Sequence, residues 1–562
     1  MVERDQHLNG QADRALATES ASLLPSGKSA ESAGEVERRA LAGRAGIVGA
    51  GTLVSRLLGL VRDQTLAALF PRGQTDAFWV AFVLPNALRS LLGEGAASSA
   101  VVPVLAEVRA AEGEPAAREF FRAVRGVSII ALIVVTVLGM LFAPGLVELF
   151  ASGLHARPGA FEQTVVLTRW VFPYIFFMGT AALGMAALNT YGRYTAAAFA
   201  PALLNVAMVA AALLLTPSFK ARGIEPVLVL AVGALGGGVL QVVAQWPSLF
   251  RIGFAATPKI DLRHPRVRQV LGRLVPMLVG IGIYEIDLIF SRRFLSELPE
   301  GSVSYYSFAQ RLCDFPQGVF VVALQTATLP SLSKLVAARN LDEVGKTYAY
   351  AMRLCLFVAL PATVLLVGLS RPIVTALFER GAFDATSSMQ TSRALMAQGM
   401  GIWMVAAVRQ LLAVFYALGD TRTPVLVSAI DLLALIAAAI MLRGPFGHVG
   451  VSMAVTISSA VQMALLWGWL SRRMPSLRLR EIGASALRTL AASLAAMAVA
   501  FLVARRLNHF SLTPALLRIL PGAASVIVFS ILFFAFASLL RAPELQAIAA
   551  PVRRRFARRT RR

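Results

Sequence analysis

Fourteen apolar runs of about 20 residues follow one another between residues 46 and 540, each long enough to cross a hydrocarbon core of roughly 30 Å. They cover roughly 46–70, 77–107, 126–150, 163–190, 197–216, 225–249, 270–295, 303–333, 348–370, 390–418, 423–442, 449–470, 484–504 and 518–540. Inside lipid the backbone must satisfy its own N–H and C=O groups, so runs of this length are read as α-helices. Of 562 residues, 57% are hydrophobic and 15% charged, with mean hydropathy +0.67. A soluble protein of this size would split into several domains and carry more charge. The chain is therefore read as an all-α polytopic membrane protein.

A net charge of +23 raises the question of nucleic acid, and the placement of the charge argues against it. Under an N-in, C-in topology, cytoplasmic segments hold 35 Lys and Arg and external loops hold 12. Seven fall inside spans: Arg56, Arg62, Arg89, Arg169, Arg311, Arg393 and Arg409. That asymmetry is the positive-inside pattern of a multi-pass protein. The basic clusters Arg251 to Arg273, Arg472 to Arg488 and the tail 541–562 are expected against anionic lipid headgroups, with no nucleic-acid partner. Residues 1–43 are polar, lack the apolar core of a signal peptide, and read as a disordered cytoplasmic extension. Cys313 and Cys355 lie in spans without metal-ligand spacing, and the five histidines are scattered, so no metal site and no cofactor are expected.

The sequence repeats itself. VVPVLAE around Pro103 aligns with TLPSLSK around Pro330, an offset of 227; APGLVELFASG around Pro144 aligns with SRPIVTALFERG around Pro372, an offset of 228. LNTYGRYT around Arg193 aligns with ALGDTRTP around Arg422, an offset of 229. Residues 44–250 and 270–470 are thus read as two six-helix units joined by a linker, 251–269, with two further helices in 484–540. Six is even, so the copies run parallel and face one another across a central cavity.

The first spans of each unit carry charge that lipid would not tolerate. A charged side chain at membrane depth costs at least ~2.5–3.5 kcal/mol and normally faces a cavity, a partner or a substrate. Arg56, Arg62 and Arg89 in the first unit, and Arg311 in the second, are candidates to bind an anionic substrate. Asp63, Asp76, Asn86, Glu94, Asp314 and Gly59 are candidate cavity or gating positions, and Glu285 and Asp287 on span 7 are candidates for ion coupling. Other readings stay open: Arg56 snorkels to the surface, Arg62 and Asp63 pair structurally, or Asp76 caps the start of span 2. Gly59, Pro85, Gly93, Gly95, Pro316 and Gly318 interrupt these same spans, where freed backbone groups need protein or water around them. On a straight helix Arg56 and Arg62 point about 120° apart. The chain shows no P-loop, GxSxG or HExxH, so it is read as a non-enzyme with no catalytic residue.

Five segments then carry a resemblance: SRLLGLVRD (55–63), TDAFWVAFVLPNALR (75–89), EGAASSAVVPVLAE (94–107), RLCDFPQGV (311–319) and LPSLSK (329–334). They resemble the MurJ/MviN family, bacterial lipid II flippases of the multidrug/oligosaccharidyl-lipid/polysaccharide exporter superfamily. The resemblance spans residues 44–540 and implies fourteen helices in the bacterial inner membrane. It implies alternating access and a lipid diphosphate held by Arg56, Arg62, Arg89 and Arg311, whose forked guanidinium groups suit phosphate oxygens. Lipid II and membrane lipids are the implied partners, and the peptidoglycan synthesis machinery is a further candidate. Departures stand at Val83, Ser90, Phe308, Gln310 and Asp314, where the family often has other residues; they touch headgroup selectivity. Some members bind sodium in the second unit, for which Asp287 and Asp431 are candidates; Leu435 and Ala439 leave span 11 poor in ligands, so no sodium site is assigned. A flippase for another undecaprenyl-diphosphate-linked oligosaccharide and a multidrug/cation antiporter are the alternatives, the second ill-suited to four cavity arginines. A membrane-embedded transferase would need a long catalytic loop, and the longest connection between spans is about 20 residues.

Overall fold

The computed structural model describes residues 49–89, 96–474, 477–508 and 513–546. Glu94, the N-terminal extension and the basic tail beyond 546 lie outside the described residues, as do the side chains of Arg89 and of residues 275–286, Glu285 among them. The described residues contain helices and no strand. The first unit comprises α1 (49–69), α2 (Arg72–Arg89), α3 (Ala96–Leu141), α4 (Ala143–Ala151), α5 (Ala160–Val171), α6 (Tyr174–Thr190), α7 (Tyr194–Ala221) and α8 (Leu228–Arg251). The second comprises α9 (Pro265–Ser296), α10 (Ser302–Pro316), α11 (Val322–Ala337), α12 (Leu341–Gly368), α13 (Ser370–Phe378), α14 (Ala385–Gly399), α15 (Ile402–Ala417), α16 (Arg422–Phe446) and α17 (His448–Arg473). Two more helices, α18 (Leu479–Leu507) and α19 (Pro514–Leu539), complete the bundle.

Among the described residues, ten helical stretches are long and apolar enough to cross a membrane, and they coincide with ten of the fourteen expected spans. The other four, roughly 46–70, 77–107, 270–295 and 303–333, are helical along their described residues and hold the charged candidates. Polarity is thus concentrated in the first two helices of each copy.

The internal repeat is visible element by element. Short helices α4 and α13 follow the third span of each copy and start 227 residues apart, at Ala143 and Ser370. The fourth span is broken in both copies, after Val171 and after Gly399; Pro173, at the N-cap of α6, supplies the break in the first. The turn into the fifth span uses a left-handed glycine in each, Gly192 at φ 70° and Gly419 at φ 75°, a backbone region that a side chain disfavours.

Other breaks fall where proline and glycine predict them. Gly113 (φ 85°, ψ −179°), followed by Pro115, kinks α3 and separates the end of span 2 from span 3. After Pro316 the chain makes a π turn, Gln317–Val321, that includes Gly318. Small residues bring helices together: a Cβ on Gly237 of α8 would lie 2.7 Å from the Leu204 backbone of α7. The linker between the units is pinned along α3, where Lys259 N–H donates to the Arg122 carbonyl at 3.0 Å and Arg122 Nε donates to the Thr257 carbonyl at 2.9 Å. Helices α18 and α19 pack on α12 and α13, on the flank of the second unit away from the charged helices.

Candidate substrate cavity and its gate

Helix α1 sets two arginines about 120° apart, and the structure uses both directions. The helix runs unbroken through Gly59, which packs beside Asn205 of α7. Arg56 points across to the second unit: its Nη1 donates to the Asp314 carbonyl at 2.8 Å, and its guanidinium lies so close over Gly318 that a Cβ there would collide with it. Arg62 turns the other way and is 4% exposed. Its Nε and Nη2 donate to Asp63 Oδ1 at 2.9 and 2.7 Å, its Nη1 donates to Asn205 Oδ1 at 3.0 Å, and its guanidinium carbon lies 5.8 Å from the Trp79 ring centre.

Asp63 joins the two units. Fully buried, it receives Arg62 on Oδ1 and Arg311 of α10 on Oδ2, with Nε of Arg311 at 2.8 Å. Two of the four candidate arginines therefore meet on one carboxylate, and Arg56 holds α10 three residues further on. The side chain of Arg311 remains 39% exposed, so the cluster is open on one side. Asp314 is half-buried and accepts from Gln310 Nε2 at 2.8 Å. Asn86 is half-buried in the second half of α2.

Asp76 lies in the second turn of α2, and the helix it caps belongs to the other unit. Its Oδ1 accepts from the Ser304 N–H at 2.8 Å and the Ser304 hydroxyl at 2.7 Å, and its Oδ2 accepts from the Gly301 N–H at 2.7 Å and Arg157 at 3.2 Å. These are the free amides at the start of α10, where a carboxylate is favoured. Of the two readings left open for Asp76, capping of its own helix does not hold: at residue 76 the amides of α2 are already bonded within the helix.

Around Asp76 the two units are in close contact. Thr75 and Ser304 share a hydrogen bond at 2.7 Å, Arg72 donates to the Tyr305 hydroxyl at 3.1 Å, and Ala382 N–H donates to the Ala68 carbonyl at 2.8 Å. Arg157 also donates to the Leu298 carbonyl. Asp384 faces Arg72 at 3.6 Å; the Ser387 amide, aided by Arg72, holds its carboxyl below the usual carboxylate range. At the opposite end of the bundle, Arg266 of α9 pairs with Glu107 at 3.1 Å and Glu112 at 2.8 Å. Those carboxylates are about half exposed, so water screens the pairs and they hold weakly. Among the described residues the buried lock is at the Asp76 end.

Two polar residues of this region gave no clear signal in the sequence. Asn205 sits in an apolar run of α7, yet it accepts from Arg62 and donates to the Ser55 carbonyl at 2.9 Å, holding the guanidinium in place. Arg292 is not among the seven arginines expected inside spans, yet it is 6% exposed and inside the bundle, donating to the Val303 carbonyl and the Ser307 hydroxyl with its guanidinium carbon 5.4 Å from the Tyr306 ring centre. Asp287 of α9 is half-buried and Asp431 of α16 is 9% exposed. Arg169 and Arg393 are exposed on the bundle surface.

Two like-ordered helical units, with arginines and carboxylates on the helices that face each other, define a membrane exporter fold. An inward-facing multidrug resistance MATE family transporter of the MOP superfamily shares it, with a TM-score of 0.64 at 17% identity over 75% of this chain and 95% of that one. A solved structure of a lipid II flippase MurJ in an inward closed conformation matches with a TM-score of 0.69 at 23% identity over 88% of this chain and 99% of that one. The chain belongs to the lipid II flippase MurJ family, whose profile matches residues 66–520. The lipid II flippase MurJ of Burkholderia cenocepacia is 36% identical over 427 residues, 75% of this chain and 82% of that protein. The probable lipid II flippase MurJ of Vibrio cholerae is 34% identical over 429 residues, 75% of this chain and 81% of that protein.

Proposed function

We propose that the protein moves lipid II from the inner to the outer leaflet of the bacterial cytoplasmic membrane, with both termini in the cytoplasm. The observation that carries this reading is the Arg62–Asp63–Arg311 cluster together with Arg56, which sets three cationic groups on the facing helices of the two units. A lipid diphosphate is an anion of matching size for forked guanidinium groups, and a cationic cavity concentrates it. Asp63 holds Arg62 and Arg311 on its two oxygens; an incoming diphosphate takes over these arginines and leaves the carboxylate to be rehoused. The mouth held by Asp76 is external, because the loops at that end belong to the charge-poor side of the chain. The weak, exposed ion pairs lie at the cytoplasmic end, so the cavity opens inward first and the Asp76 lock yields only after loading. Residues 44–250 and 270–470 are the two rocking bodies.

The test is complementation of a flippase-depleted bacterium. Arg56→Ala, Arg62→Ala, Arg89→Ala and Arg311→Ala are each expected to abolish growth at near-normal protein levels. Lysine at the same positions is expected to rescue only in part, because a point charge loses the fork. Normal growth of all four alanine variants would contradict the cationic-cavity mechanism.

A further inference from the structure

One buried cation on the seam between the units has no part in the transport cycle so far. Arg292 of α9 is 6% exposed, and among the described residues no carboxylate stands within ion-pair distance of it. Arg62, also buried, has Asp63 at 2.7 Å, and Arg157 has Asp76 at 3.2 Å. Arg292 instead donates to the Val303 carbonyl and the Ser307 hydroxyl, and its Nε is buried without an acceptor. We propose that Arg292 is a substrate-binding residue, which takes the lipid diphosphate over from Arg311 when the external mouth opens. The assignment rests on the lipid II transport proposed for the protein.

Helix geometry supplies the position. Ser304, Ser307 and Arg311 fall at i, i+3 and i+7 of α10 and share one face. That face is turned to the first unit, with Ser304 held by Asp76 and Arg311 by Asp63. Ser307 stands between them, and Arg292 is the group that donates to it. From Arg311 to Ser307 is a rise of about 6 Å along α10, toward the Asp76 lock. A diphosphate has two phosphoryl groups, so one can stay on Arg311 while the other reaches Arg292.

Packing does not need this charge. The Ser307 hydroxyl already donates to the Val303 carbonyl at 2.6 Å, so both groups keep a partner without the arginine. A charge buried in a spanning segment without a counter-ion lowers stability, and such residues mark substrate or ion pathways. With the mouth closed, the carboxylate that reaches Arg292 electrostatically is Asp76 of the other unit. When the units part, Asp76 leaves with Arg157 of its own unit, whereas Arg292 stays with Ser307 of α10. The guanidinium is then uncovered and uncompensated as the diphosphate leaves the Asp63 cluster, and it draws the anion outward.

The test uses full-length protein and lipid II as the probe, with binding read by native mass spectrometry in two backgrounds: Asp76 intact, which keeps the mouth closed, and Asp76→Ala, which is expected to open it. Arg292→Gln is expected to weaken lipid II by about tenfold or more in the Asp76→Ala background, and by less than about twofold with Asp76 intact. Arg292→Lys should recover only part of the loss, since a point charge lacks the fork. Arg292→Met is expected to leave the thermal unfolding midpoint unchanged or higher, because it removes an uncompensated charge. A structural arginine would instead lower the midpoint and weaken lipid II equally in both backgrounds, and either result would overturn the proposal. So would unchanged affinity of Arg292→Gln in the open background while Arg311→Ala loses lipid II, a result that leaves the transport reading standing. If the unsubstituted protein binds no lipid II, the transport reading falls and this assignment falls with it.

Discussion

Asp63→Ala leaves Arg62 buried without its counter-charge and is expected to destabilise the protein by about 3–5 kcal/mol, the usual effect of orphaning one member of a buried ion pair. The size of the effect comes from burial: Asp63 is fully inaccessible, and it is the group on which Arg62 and Arg311 converge. Thermal unfolding in detergent measures it. Part of the loss should return in the double variant Asp63→Ala with Arg62→Met, since removing both charges removes the unpaired one. Asp63→Asn keeps the shape and deletes the charge, so the cavity becomes over-positive. Bound lipid II is then expected to be retained longer, because no carboxylate competes for the arginines on release. Native mass spectrometry reads that retention, and equal or weaker retention would remove Asp63 from the release step.

Asp76→Ala is expected to open the external mouth. The side chain accepts four hydrogen bonds, three from the start of α10 and one from Arg157. Hydrogen bonds to a charged group are worth about 1.5–3 kcal/mol each, so losing them shifts the closed-to-open ratio by at least ~3 kcal/mol, more than a hundredfold. Gln74→Cys and Ser302→Cys, labelled from outside with an impermeant maleimide, report it. In the parent the half-buried Gln74 position reacts faster than the fully covered Ser302 position. The Asp76→Ala variant should bring both to similar, high rates; if Ser302→Cys stays protected, Asp76 is not the lock.

Much of the fold was legible because lipid imposes one rule on every apolar run. The ten plainly apolar spans read directly from hydropathy, and the repeat read from three landmark pairs. The four charged spans were also the informative ones, since their arginines mark the faces that leave the lipid. What stayed hidden depended on tertiary neighbours. Asp76 reads as a cap from its position, but which helix it caps depends on how the two units dock. Arg292 sits near a span end, where snorkelling is the ordinary reading, and only packing against Ser307 and Tyr306 places it inside. Asn205 is a single polar residue in an apolar helix, and its role exists only because α1 presents Arg62 to it.

The most direct measurement of the central claim is the leaflet distribution of lipid II in a bacterium depleted of its own flippase and supplied with this protein. Outer-leaflet lipid II, read with an impermeant reagent on intact cells, should return to the level of undepleted cells, and should stay absent with the Arg311→Ala variant present in equal amount. Lipid II confined to the inner leaflet while the unaltered protein is present at normal levels would contradict the account.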